Sequence, residues 1–142
     1  MKGFKIVNGD IALSGNGDVV MLTGSERIVQ ELSAWLLEPL GTDKLHARFG
    51  SILDTKIGEL AVGDSVLSIK SEVVRVVNNY TTYQKRQLDE ANANGTLVSK
   101  WGAGDIISSV NSVAVTANCD TVTVIITLTL ASGETVNIEQ TA

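Results

Sequence analysis

Few of the residues that usually build metal, redox or catalytic sites occur in this chain. Its 142 residues include one cysteine, one histidine and one proline, with two residues each of tryptophan, tyrosine and phenylalanine. Cys119 has no second cysteine for an internal disulfide, and no Cys or His companion at the spacing of a structural zinc site. A lone cysteine fits a reducing compartment, and the sequence predicts no metal ion or other cofactor.

Charged residues are also scarce. They make up 19% of the chain, and the net charge is −5. The 11 Lys and Arg residues are scattered, whereas binding to a nucleic-acid backbone needs a basic cluster. Apolar runs fall short of the ~20 residues that span a bilayer, and the opening MKGFKIVNGD lacks the apolar core of a signal peptide. We therefore expect synthesis and assembly in a host cytoplasm, with no nucleic acid and no membrane as partner.

The usual catalytic and calcium-binding motifs are missing as well. No serine has the Gly-x-Ser-x-Gly surroundings of a nucleophile elbow, although Ser51 and Asp54 lie near His46 in the sequence. We interpret His46 as a surface loop residue. No Asp-x-Asp-x-Asp-Gly series of a calcium loop begins at the aspartates in turn sequences, which are Asp10, Asp18 and Asp120.

The length and the 44% apolar content predict one modest domain, residues 1–142. Turn sequences at 8–10 and 14–18 break up the β-prone runs of the first region. Helical periodicity follows, and Val, Ile and Thr dominate the last third. The predicted regions are an N-terminal β-hairpin region (1–22), a helical core (23–95) and a C-terminal β-meander (96–142).

The first helix is predicted over about residues 24–38. Thr23 and Glu26 have the spacing of a capping box, and Pro39 ends the helix because it lacks a backbone donor. The apolar stripe, expected to face the core, is Ile28, Leu32, Trp35 and Leu36. The residues expected to face solvent are Glu26, Arg27, Gln30 and Glu31.

A longer amphipathic helix is predicted over about residues 65–93, ended by Asn94 and Gly95. Its apolar positions recur at steps of three and four: Val66, Ile69, Val73, Val77, Tyr80 and Tyr83. Beyond it, strands are predicted at 106–115, 121–130 and 135–139, with a turn at 131–134. The predicted fold class is α+β, with two main helices packed on a small antiparallel sheet.

The strand at 121–130 alternates hydroxyl and apolar side chains, so that one face should pack on the helices. We interpret it as an edge strand open to pairing with a strand of another molecule, because no Pro or Lys protects it. The alternative, a short edge covered by the N-terminal hairpin, fits the sequence equally well. The interface candidates on this strand are Thr121, Thr123, Thr127 and Thr129.

Two further side chains are candidates for protein interfaces. Arg48 precedes Phe49 and Gly50, which predict a turn with a core-facing ring and a left-handed glycine, and arginine is favoured at interfaces. Trp101 is flanked by Lys100 and a glycine-rich turn, so we expect it to be an exposed anchor, whereas Trp35 should belong to the core.

Short motifs occur in a set order along the first part of the chain. They are Asp10–Leu13, Gly17–Asp18, Gly24–Glu26, Gln30, Leu36–Leu37, Gly41, Phe49–Ser51 and Ile57–Gly58. This ordered series resembles the lysozyme-like baseplate wedge family of contractile phage tails, which also has a member in type VI secretion machines. Many members carry Glu-Pro-Arg after the second long helix. In that region this chain has the sequence Trp-Gly-Ala-Gly-Asp, at 101–105. The roles of the Glu-Pro-Arg residues are therefore not assigned to any residue of this chain.

The resemblance implies a structural subunit of the inner wedge, located in the virion at the tail baseplate. Family members seat the first ring of sheath subunits, by strand exchange with the extensions of the sheath. The expected partners are the tail sheath protein and other wedge or hub subunits, in a hetero-oligomeric ring. An assembly adaptor absent from the mature particle is an alternative.

The family name also raises a peptidoglycan-cleaving glycosidase as an alternative. Such an enzyme needs two carboxylates across a sugar, one of them in an apolar pocket. Glu31 and Glu38 share a helix face, and their Cα atoms are expected to lie ~10 Å apart. This separation does not support an inverting mechanism of glycoside hydrolysis. We interpret Glu31 as a solvated residue and Glu38 as a helix-end acid, and predict that the protein is not an enzyme.

Overall fold

The structure, a computed structural model, describes residues 1–56, 63–118 and 121–141. The helices are α1 (Gly24–Leu37), α2 (Leu53–Lys56), α3 (Gly63–Ala93) and α4 (Leu97–Lys100), with a 3-10 turn at Ala103–Asp105. The strands are β1 (Lys2–Phe4), β2 (Ile6–Val7), β3 (Asp10–Ile11), β4 (Met21–Thr23), β5 (Ile107–Asn118), β6 (Thr121–Leu130) and β7 (Thr135–Thr141). The predicted α+β class is confirmed. Three features of the sequence analysis lie outside the described residues: Cys119, Asp120 and the Ile57–Gly58 motif.

The first 23 residues fold into small antiparallel hairpins, as predicted. Strands β2 and β3 are joined at Asn8 and Gly9, whose φ angles of 53° and 82° are those of a type I′ turn. Strand β1 pairs with β4, and Leu13 forms an isolated antiparallel bridge with Val19. The turn residues therefore determine the hairpins at this end of the chain.

Helix α1 begins and ends close to the predicted positions, but its N-terminal cap differs from the prediction. Thr23 makes no side-chain cap hydrogen bond. The Gly24 amide donates to Oδ1 of Asp105 at 2.8 Å, so a residue from the far end of the chain caps the helix. A second prediction is wrong too: Arg27 is buried, with 2% of its surface exposed.

The core lies between helices α1 and α3 and one face of the sheet β5–β6–β7. Four of the six predicted apolar positions of α3 belong to the core, Ile69, Val73, Val77 and Tyr80, whereas the other two are partly buried outside it. The α1 stripe also faces inward, with Trp35 partly buried against the core. On β6 the alternation is confirmed, since the buried side chains are Val124, Ile126, Leu128 and Leu130. Burial of these apolar faces is the main favourable term holding helices and sheet together.

Strand β6 is the central strand of its sheet, which corrects the prediction of an exposed Thr-rich edge. It pairs antiparallel with β5 on one side and with β7 on the other. Consecutive strands joined by short turns pair with each other, so the middle strand of a meander has no free edge. The edges of this sheet are β5 and β7.

Candidate assembly surfaces

The outer edge of β5 has unpaired main-chain groups. Besides its ladder to β6, the described main chain of β5 makes hydrogen bonds only near the two ends of the strand. The Ile107 amide donates to Gln84 at 2.9 Å, and the Asn118 carbonyl accepts from the Thr121 hydroxyl at 3.1 Å. An unpaired row of N–H and C=O groups is a template for another strand.

The two halves of β5 differ in how well this edge is protected. The first half is irregular, with register shifts between Ile107 and Ser109 and between Val110 and Ser112. Such bulges twist an edge and hinder further pairing. The stretch Val113–Asn118 pairs with β6 without a shift and contains neither charge nor proline. We call Val113–Asn118 the open edge.

The other edge, β7, is less suited to strand addition. It carries a charged side chain, Glu139, and spans Thr135–Thr141, which is shorter than β5. Helix α1 lies beside its first half, where Glu26 and Val29 line a cleft together with residues 135–137. Helix α3 packs against β5 as well, so the features that favour β5 as the edge that a partner would use are the charge and the shorter length of β7.

The threonine candidates of β6 lie on the outer face of the sheet, opposite the core. Thr123 lies 3.4 Å from Thr141 across the sheet, between their hydroxyl oxygens, and Asn111 donates to Thr129 at 2.8 Å. Thr121 and Thr127 lie on the same strand. Because β6 is central, these residues cannot offer a free edge, and a side-chain role in an interface stays a prediction.

A second exposed surface lies on the N-terminal hairpins. Cross-strand partners share a face, and so do residues two apart along a strand. The pairs Phe4–Met21, Ile6–Ile11 and Leu13–Val19 are therefore placed on one face by register and alternation. We call this set the apolar hairpin face. Exposure of its members ranges from 43% to 63%; on the other face Leu22 is 6% exposed and Val7 is 47% exposed. Contiguous exposed apolar side chains of this kind mark interaction surfaces.

Trp101 is not the exposed anchor that the sequence predicted, because only 9% of its surface is exposed. Helix α4 and the following 3-10 turn bring residues 97–105 back against α1 and α3. The guanidinium carbon of Arg27 lies 5.4 Å from the centre of the Trp101 ring, a cation–π arrangement. Trp101 is therefore part of the interior.

A polar cluster built on Arg27 joins α1, α3 and the 3-10 turn. Its guanidinium donates to Glu31 at 2.5 Å and to the Asp105 carboxylate at 3.4 Å. The Tyr80 hydroxyl donates to the other oxygen of Glu31 at 2.7 Å. Glu31 is therefore a bonded member of this cluster, while its side chain remains 36% exposed. Among the described residues, no buried side-chain polar atom lacks a partner, so burial of these charges is compensated.

The pKa shifts in this cluster agree with the geometry. Burial by itself would raise the pKa of Asp105, but hydrogen bonds from the amino group of Met1, Gly102 and Gly24 outweigh it and lower that pKa. Burial opposes the charged form of Arg27, but Glu31 beside it raises the pKa of the guanidinium above its ordinary value. Burial also raises the pKa of Tyr80, so its hydroxyl stays a donor.

Arg48 lies on an exposed loop and makes no hydrogen bond or ion pair with any residue that the structure describes. The turn after it has the predicted left-handed glycine, but the Phe49 ring lies outside the core cluster that it was predicted to enter. Gly50 has a φ angle of +91°, and the Phe49 ring packs edge-on against Trp35 at 4.8 Å between centroids. His46 is exposed, as predicted, and its hydrogen bond lowers the pKa of Asp43. An interface role for Arg48 stays a prediction.

The two glutamates considered for glycoside hydrolysis are engaged in different places. Arg27 and Tyr80 occupy the two oxygens of Glu31, and Glu38 accepts from the Thr42 hydroxyl at 2.6 Å. In the described ranges no three His, Cys, Asp or Glu side chains group in a way that could hold a metal ion. Nor is any helix of those ranges long and apolar enough to cross a membrane.

Asp105 was not among the predicted site residues, yet it joins Met1, Gly24 and Arg27, which lie far from it in the sequence. Its only local signal was a position after a glycine-rich turn, which is ordinary for aspartate. Arg27 was placed in solvent because charged residues are rarely buried. Comparison with protein-family models, with curated proteins and with solved structures finds no match to this chain.

Proposed function

We propose that this protein is a structural subunit of a contractile phage tail baseplate, in the inner wedge, where it helps to start polymerisation of the tail sheath. Its partners are the tail sheath protein and other wedge or hub subunits, and it uses no cofactor. The observation that carries the proposal is the open edge, Val113–Asn118. The motif series from Asp10 to Gly58, which resembles the lysozyme-like baseplate wedge family, supports it.

The proposed contact is the addition of a strand from the sheath to β5. An extended segment would donate to and accept from the unpaired main chain of the open edge, which supplies affinity without specific side chains. Alternate side chains of the strand would supply specificity. Val113 and Val115 are partly buried on the core face, whereas Ala114 and Thr116 are exposed on the outer face.

The apolar hairpin face supports an assembly role independently of the sheet edge. A subunit of a ring has to contact neighbours in the ring as well as the protein that it anchors. Leu13, the most exposed member at 63%, and Phe4, at 56%, have large apolar side chains in solvent. Covering such a face in an interface removes apolar surface from water, at roughly 25 cal/mol per Å². We assign this face to contacts with other wedge subunits.

A lysine placed in the open edge is expected to weaken sheath binding. Thr116→Lys sets a charge beside the main chain that the incoming strand must reach, a device by which natural edges prevent pairing. We expect the affinity for purified sheath protein to fall about tenfold, or about 1.4 kcal/mol. Sedimentation of the mixture, with negative-stain imaging of sheath nucleated on the protein, measures the effect.

Matched lysine variants identify the edge that is used. Asn137→Lys places the same charge on the exposed side of β7, and Thr127→Lys places it on the central strand. Both should bind sheath about as well as the unchanged protein. Equal loss in all three variants would point to general charge repulsion, and an unaffected Thr116→Lys variant would rule out pairing at the open edge.

A polar substitution in the apolar hairpin face is expected to reduce assembly into baseplates while leaving the stability of the fold nearly unchanged. Leu13→Ser removes an apolar side chain that is 63% exposed, so the free energy of unfolding should change by no more than about 0.5 kcal/mol. Recovery of the variant in assembled baseplates should nevertheless fall. Urea unfolding and quantification of the protein in purified particles measure the two effects, and unchanged recovery would exclude the face as a wedge contact.

A further inference from the structure

A cleft of about 250 Å³ opens between the loop that carries Arg48 and one face of α3. Its floor is aromatic. The Trp35 ring lies 4.8 Å from Phe49 and 5.8 Å from Tyr83, between centroids, so the rings fix each other in place. We call it the aromatic cleft. Its other lining residues are Leu45, His46, Ala47, Arg48, Asn79, Thr82 and Arg86.

The rim of the aromatic cleft is positive in a protein whose net charge is −5. Arg48 has no ion pair with a described residue, and Arg86 has one with Glu90, 3.3 Å apart, in which both side chains are mostly exposed. An exposed pair of this kind is weak and is easily exchanged for another partner. No acidic residue is among the described side chains that line the cleft.

One rim residue is apolar and has no packing of its own. The Leu45 side chain is 89% exposed, the largest value among the exposed large hydrophobic residues. The cleft therefore combines one arginine, Arg48, that has no ion pair with a described residue, a second arginine in a weak exposed pair, and exposed apolar surface. Arginine next to aromatic side chains is typical of the residues that dominate protein interfaces.

We propose that the aromatic cleft binds a short acidic peptide segment of a partner protein. A carboxylate of the segment pairs with Arg48 and Arg86, and an adjoining apolar side chain covers Leu45 and the aromatic floor. Charge complementarity selects this occupant, since the described lining holds two arginines and no acid. The nearby Asp43 is engaged by His46 at 2.8 Å, and among the described residues only the exposed Glu90 competes for Arg86. A nucleic acid would need a longer run of cations than two arginines supply. The inference does not depend on strand pairing at the open edge.

The test is a titration of the full ¹⁵N-labelled chain with a short synthetic peptide of alternating glutamate and leucine, at low ionic strength. A peptide of alternating glutamine and leucine is the matched control. We expect chemical-shift changes at the Trp35 indole and at Tyr83 with the acidic peptide, and little change with the neutral one. Arg48→Ala should weaken binding about tenfold, and Leu45→Ser should weaken it as well.

Lys70→Ala is the control variant, because Lys70 is an exposed cation of α3 that does not line the cleft. It should bind the acidic peptide as the unchanged protein does. Equal binding of the two peptides, or equal loss in Lys70→Ala and Arg48→Ala, would overturn the proposal. Displacement of the peptide by oligodeoxythymidine would also overturn the proposal. So would chemical-shift changes at the cleft residues that depend on protein concentration and not on the peptide. Thr116→Lys should leave peptide binding unchanged, which keeps this test separate from that of the open edge.

Discussion

Replacing Asp105 with alanine is expected to lower the free energy of unfolding by about 3–5 kcal/mol, because it removes at once the acceptor of two amides, the partner of the Met1 amino group and one of the two counter-charges of the buried Arg27. The Asp105 side chain is 7% exposed. Without it, the buried Arg27 guanidinium loses a counter-charge, and the amides of Gly24 and Gly102 lose their acceptor. Urea unfolding at neutral pH, followed by circular dichroism, measures the change.

Two further variants test the cause of this loss. Asp89→Ala removes an exposed aspartate of α3 and should change stability by no more than about 0.5 kcal/mol. Asp105→Asn keeps the shape of the side chain and one acceptor, so it should cost less than the alanine variant. A loss in Asp105→Ala as small as that in Asp89→Ala would show that the cluster does not hold the elements together.

The same carboxylate predicts how stability depends on pH. The pKa of Asp105 in the folded protein lies below the ordinary value of 3.8. The ionised group therefore contributes stability that is fully present above that ordinary value and is lost as the pH falls through the folded-state pKa. The difference between the unchanged protein and Asp105→Asn should be largest near neutral pH and shrink in acid below the ordinary value. A difference that grew on acidification would contradict the assignment.

Gly50→Ala is expected to destabilise the protein by about 3–4 kcal/mol, from backbone strain and a clash together. Gly50 has a φ angle of +91°, which disfavours any residue with a Cβ. A Cβ built there lies 2.5 Å from the carbonyl oxygen of Glu38 and 2.9 Å from that of Pro39. Both contacts are with main chain, so neither can move away cheaply. Thermal unfolding measures the effect.

Variants of two other glycines separate the contribution of backbone strain from that of the Cβ clash. Gly133 has a φ angle of +86° but no atom within 4 Å of a built Cβ, so Gly133→Ala should cost only about 1–2 kcal/mol. Gly15 has neither a left-handed φ nor a close neighbour, and Gly15→Ala should be near neutral. If all three variants lost equal stability, the clash at Gly50 would not be the cause.

The Gly50 turn also links the loop of Arg48 to the core, so its conformation bears on the aromatic cleft. The Gly50 carbonyl accepts from Arg75 of α3 at 3.0 Å, and Ser51 donates its hydroxyl to the Leu36 carbonyl of α1 at 2.5 Å. These bonds hold the loop against both helices. A rigid loop lets Arg48 bind a partner with little loss of conformational entropy.

Much of the fold could be predicted from local patterns. Helix α3 begins at Gly63 and ends at Ala93, against a predicted 65–93, because its apolar positions repeat with the helical period. Strand β6 has the predicted bounds, Thr121–Leu130, because its alternation is regular. The left-handed conformation of Gly50 was predicted from its turn, and the helix end at Gly95, which has a φ angle of 67°, from the glycine itself.

The candidate site was predicted less well. Trp101 and Arg27 were both placed in solvent, yet they stack on each other in the interior. The Thr-rich strand was placed at an edge, yet it is central. In each case the error concerns a contact with an element distant in the chain, which a residue's own neighbours do not specify. The open edge of β5 and the aromatic cleft also became visible only with the tertiary structure.

The sequence by itself determined the helices, the strands, the hairpin turns and the faces that each element buries, because these follow from periodicity and from the allowed backbone angles of a few residues. Only the tertiary structure decided which strand is central, which charges are buried and which surfaces stay uncovered. Arg27 and Asp105 are 78 positions apart, and no local pattern relates them. Their pairing depends on how α1, α3 and the 3-10 turn pack together, since the energy that places them arises from burial of the whole core.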